Sequence, residues 1–74
     1  MITYGITEEI YTLGNDRRVS YGIAVYDSGI STVIASIRDL SSDREAVEEL
    51  VRLCNQLELS PIHLNDVAED FLAL

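Results

Sequence analysis

The hydrophobic period of this chain changes once, between Arg38 and Ser42: apolar residues alternate before that point and recur every three or four residues after it. A strand-rich half followed by a helical half predicts an α+β domain in which helices cover one face of an antiparallel sheet.

Three strands are expected in the first half. The first runs over about 2–13, with Ile2, Tyr4, Ile6 and Ile10 at even spacing, and Glu8 and Glu9 interrupt that row where a bulge or break could sit. Gly14, Asn15 and Asp16 supply a turn. The second strand, about 18–27, alternates cleanly, with Val19, Tyr21, Ile23 and Val25 on the core face and Ser20, Gly22, Ala24 and Tyr26 opposite. Asp27, Ser28 and Gly29 turn the chain into a third strand over about 30–38. That strand carries two apolar rows, Val33, Ala35 and Ile37 on one face and Ile30, Thr32 and Ile34 on the other, so both of its faces call for cover.

The second half predicts a helix over about 43–58 and a shorter one over about 65–73. Ser42 with Glu45 forms a capping-box pattern, and Val47, Leu50, Val51, Cys54 and Leu57 form an apolar stripe widened by Ala46 and Leu53. Glu48 and Arg52 are spaced as an i,i+4 ion pair. Asn65 is the expected cap of the second helix, with Ser60 followed by Pro61 as the other possible start, and Leu64, Val67, Ala68 and Phe71 share its apolar face. The fold expected is a three-stranded antiparallel meander followed by an amphipathic helix and a short second helix, in one domain over 1–74.

Size makes such a domain marginal. Ordering a chain costs on the order of 1.5 kcal/mol per residue, which apolar burial only about offsets in 74 residues. The single Cys54 excludes an intrachain disulfide and a cysteine-based zinc site, which leaves a partner subunit as the means of stabilisation. Thirteen acidic residues against five arginines give a net charge of −8, so binding to a phosphate backbone would work against the field of the whole molecule. The N-terminal residues have no basic leader pattern, and no apolar run is long enough to span a bilayer, so no membrane association and a cytoplasmic location are expected.

The segment Ser60-Pro61-Ile62-His63-Leu64, with Glu69-Asp70-Phe71-Leu72 after it and a strand containing Tyr21-Gly22-Ile23 before it, resembles a family of small bacterial proteins known mainly from Firmicute genomes. The resemblance covers about 21–72. It implies a bacterial cytoplasmic origin and a similar fold; as a domain of unknown function, the family implies no activity, cofactor or catalytic residue.

Three groups of residues could carry a function. His63, Asp66 and Asp70 could share one side of a helix beginning near Pro61 and hold a divalent ion, against the plainer reading of a helix-entry histidine beside a solvated acidic face. Cys54 and His63 could be imagined as nucleophile and base, but Cys54 lies in an apolar stripe where thiols are inert. No catalytic residue and no cofactor is therefore assigned. Tyr26, Ala24, Ile30 and Ile34 would form an apolar patch on the uncovered sheet face, larger than a monomer of this size shows. These residues, or the edge of the third strand, are the candidate interface of a homodimer. The expectation is a non-catalytic protein-interaction module. A small-molecule or metal binder is the alternative, as is an acidic mimic of nucleic acid using Glu45, Glu48, Glu49, Asp66, Glu69 and Asp70.

Overall fold

A computed structural model of the chain describes residues 2–27, 29 and 32–73. Its strands are β1 (Ile2–Leu13), β2 (Asp16–Asp27) and β3 (Thr32–Ser41), and its helices α1 (Arg44–Gln56) and α2 (Leu64–Leu72), the latter entered through a 3₁₀ turn at Pro61–His63. The sheet is antiparallel in the order β1-β2-β3, the expected meander. Among the described residues no helix is long and apolar enough to cross a membrane.

β1 and β2 pair without interruption from Ile2 opposite Asp27 to Leu13 opposite Asp16, so Glu8 and Glu9 do not break the strand. Gly14 and Asn15 close the hairpin, with Gly14 at φ 61° in the left-handed region, the first central position that a II′ turn reserves for glycine.

The irregularities are in β3. Val25 faces Ala35 whereas Tyr26 faces Val33, so one extra residue lies in β3 at Ile34. Because of it, Val33 falls on the face of Tyr26, while Ala35 and Ile37 fall on the face of Val25 and Ile23; the expected single row of Val33, Ala35 and Ile37 is split. A second shift lies between the Ile23–Ile37 and Tyr21–Ser41 pairs, where Asp39 takes φ 56°. It carries the strand on to Ser41, past the expected end at Arg38, and Ile30 of the expected strand lies outside the described residues.

α1 begins one residue later than expected. Asp43, not Ser42, is its N-cap, accepting the Ala46 N–H at 3.2 Å, while Ser41 Oγ accepts the Asp43 N–H. Glu48 pairs with Arg44 rather than Arg52, and Arg52 pairs with Glu49. The helix ends in a Schellman turn: the Leu59 N–H donates to the Cys54 carbonyl and the Glu58 N–H to that of Asn55, with Glu58 at φ 50°. Ser60 and Pro61 start the 3₁₀ turn, α2 follows from Leu64, and Asn65 is inside the helix rather than its cap.

The core joins Tyr4, Ile23, Val25 and Leu40 of the sheet to Val47 and Cys54 of α1 and Leu64 and Ala68 of α2. α1 descends this face obliquely: at its start Arg44 stacks on the ring of Tyr21 in β2, and near its end Asn55 reaches Tyr4 at the outer edge of β1. The turn end of the β1–β2 hairpin is left beyond the helix. β3 also stops pairing at Tyr21, so a two-stranded ribbon projects from a molecule of 42 × 29 × 18 Å.

Candidate functional site

The outer edge of β1 is the most regular unpaired strand edge among the described residues. The Tyr4 N–H donates to Asn55 Oδ1 at 2.8 Å, and Asn55 Nδ2 donates to the Tyr4 carbonyl at 3.0 Å, so a single side chain replaces the next strand at that residue. The Tyr4 hydroxyl donates to the Leu59 carbonyl at 2.7 Å and ties the same corner to the chain after α1. Both backbone groups of Tyr4 thus face away from β2. Antiparallel alternation then sends those of Glu8, Ile10 and Thr12 outward as well. The hairpin turn requires the same phase, since Leu13 and Asp16, flanking a two-residue loop, exchange their bonds inward.

Side chains of the ribbon are correspondingly uncovered. Ile10, Tyr11 and Leu13 are 53%, 42% and 61% exposed, and Arg17 and Arg18 flank them on β2. A two-stranded ribbon alone is marginal in water, and among the described residues neither a helix nor a third strand covers the turn end of this one.

The sheet face away from the helices is built from small residues. Gly5, Gly22 and Ser36 lie around Ala24, and the ring of Tyr26 crosses Gly5 so closely that a Cβ there would sit 3.1 Å from it. Ala24 is consequently 3% exposed and screened by its own chain, Tyr26 is half-buried, and Ile34 is 47% exposed at the bulge. Of the four expected interface residues, two therefore present surface, one is covered, and Ile30 lies outside the described residues. Across this face Arg38 of β3 reaches over β2 to Glu9 of β1 with two contacts of 2.6 Å, and Ser20 Oγ donates to Asp39. The Arg38 guanidinium holds the Glu9 carboxyl below the usual range by hydrogen bonding first and by charge second.

The tail residues do not assemble. His63 closes the 3₁₀ turn while Asp66 and Asp70 lie along α2, and among the described residues no three histidine, cysteine, aspartate or glutamate side chains are placed to hold a metal ion. Cys54 is 3% exposed in the core, and burial pushes its thiol up, away from the reactive thiolate. Burial, with Cys54 nearby, also raises Tyr4. Between the helices an apolar groove of about 440 Å³ is lined by Leu50, Leu53, Val67 and Phe71.

Sequence reasoning missed the ribbon and Asn55. The ribbon had a partial signal: a first strand expected over about 2–13 is longer than a third expected over about 30–38 and overhangs it at one end. Asn55 had none, since its role depends on where α1 ends over β1.

Over residues 1–74 the chain matches the family described as "Family of unknown function (DUF6514)", and it belongs to that family. No curated protein and no solved structure matches it.

Proposed function

We propose that this member of the family is a non-catalytic protein-interaction module that forms a homodimer through its sheet. The observation that supports it is the overhanging ribbon: Ile10 on one face and Tyr11 and Leu13 on the other are exposed beside a strand edge that no other strand pairs among the described residues. In a domain this small, such an arrangement loses stability in isolation and regains it by pairing. Cytoplasmic placement in a bacterium belongs to the same reading, for which a lone buried thiol suits a reducing compartment.

The rival readings have less geometry behind them. His63, Asp66 and Asp70 are not gathered into a site. Of the carboxylates that a nucleic-acid mimic would display, Glu48 and Glu49 are engaged by Arg44 and Arg52.

Light scattering across a concentration series, with and without chelator, tests the proposal. A dimer mass that chelator leaves unchanged is the expected result. A monomer persisting at high micromolar concentration overturns it.

A further inference from the structure

We infer that the dimer forms by antiparallel pairing of β1 with β1 of a second copy, centred on Ile10, to give one continuous six-stranded sheet; the inference rests on the association proposed above and specifies its surface and register. Among the described residues the outer edges of β1 and β3 compete for the role. β3 is irregular, with an extra residue at Ile34 and a second shift at Asp39, and such bulges blunt an edge against pairing. β1 keeps its register throughout, and Asn55 occupies its edge only at Tyr4. From Glu8 to Thr12 the outward N–H and C=O groups are in the phase an antiparallel partner needs.

Charge selects the register. A twofold axis at Glu8 or at Glu9 sets that glutamate against its own copy, which is destabilising for directly opposed like charges. An axis at Tyr11 sets Glu9 opposite Leu13 of the second copy and Thr12, which lies beside Arg17, opposite Ile10, so a carboxylate meets an apolar side chain and Arg17 meets no acidic residue. An axis at Ile10 sets isoleucine against isoleucine and places Thr12 opposite Glu8 of the second copy and Tyr11 opposite Glu9. Arg17 lies beside Thr12 in β2, and Arg18 beside Tyr11. Each arginine then stands two strands away from a glutamate of the other copy on the same face. That span is one this protein already bridges, since Arg38 of β3 reaches Glu9 of β1 across β2 at 2.6 Å. Among the described residues neither Arg17 nor Glu8 has an ion-pair partner within its own chain, and the Ile10-centred register supplies each with the other, twice by symmetry.

The test uses the full chain and two kinds of variant. With Cys54→Ala as background, Ile10→Cys is oxidised and compared with Ile34→Cys on the β3 edge, because facing residues of a paired edge lie within the Cα separation a disulfide needs. In parallel, Glu8→Arg and Arg17→Glu are measured singly and together by sedimentation equilibrium. Both positions are exposed, so these variants fold whether or not the cysteine variants do. The expected result is a covalent dimer through Ile10→Cys and not through Ile34→Cys. Each charge reversal should weaken the dimer about tenfold, and the double reversal should recover it to within about threefold. A dimer that persists, fails to cross-link at Ile10 and is indifferent to the charge swap overturns the register and leaves the association standing. A monomer of the unmodified chain throughout the concentration series overturns both.

Discussion

Gly22 shows how much a single position can decide. A Cβ built there would lie 2.2 Å from the Ile37 carbonyl oxygen and 3.1 Å from Arg38 Cα, both backbone atoms held by the β3 bulge. Gly22→Ala should therefore destabilise the domain by about 3 kcal/mol in urea denaturation, because β3 must move as a whole to admit one methyl. In sequence Gly22 reads as an ordinary member of an alternating row. Its requirement comes from a bulge on another strand and was not legible there. Cys54, by contrast, was legible: its place in the apolar stripe announced a core thiol, and it is one. Burial raises its pKa, so the folded state holds the proton to higher pH than the unfolded chain does. Stability from this group is complete below the unfolded thiol pKa, roughly 8.5, and declines as pH climbs from there towards the folded value. Tyr4, also raised, adds a loss of the same sign at higher pH. A thiol-specific chromogenic reagent should react slowly with the native protein and at once in denaturant, and Cys54→Ala should flatten the first part of the alkaline decline. Rapid reaction under native conditions would contradict the burial.

At the level of elements, the period change in the chain was enough to place three strands and two helices, since alternation and helical spacing are local properties. Strand irregularity was not, because the extra residues of β3 show only in its pairing with β2. The contact between α1 and the edge of β1 likewise depends on helix length and crossing direction, which a polar Asn55 outside the apolar stripe does not reveal. That contact has a measurable consequence. Asn55→Ala removes both bonds to the backbone of Tyr4, whose residue is buried, and leaves an N–H and a C=O without partners. The cost should be about 2–3 kcal/mol by thermal or urea unfolding, more than a surface asparagine normally contributes. Hydrogen exchange gives an independent reading, for the Tyr4 amide should lose its protection while the amides of Ile23 and Val25 keep theirs. Unchanged exchange at Tyr4 would mean that the edge is held by something other than this side chain.

The molecule as a whole sets a long-range term against the local one. Each copy carries a net charge of −8, so two copies approaching edge to edge repel one another over distances comparable to the Debye length, about 10 Å at 0.1 M salt and roughly 30 Å at 0.01 M. The attractions proposed at the interface, between Arg17 of each copy and Glu8 of the other, act within a few ångströms, well inside the Debye length. Salt screens them less than it screens the repulsion between two whole bodies. Raising ionic strength from about 10 to 150 mM should therefore tighten the dimer, the reverse of the behaviour of an association driven by opposite net charges. Sedimentation equilibrium at the two salt concentrations measures this directly. A dimer that weakens with salt would show that the ion pairs across the paired edges outweigh the repulsion between the two net charges.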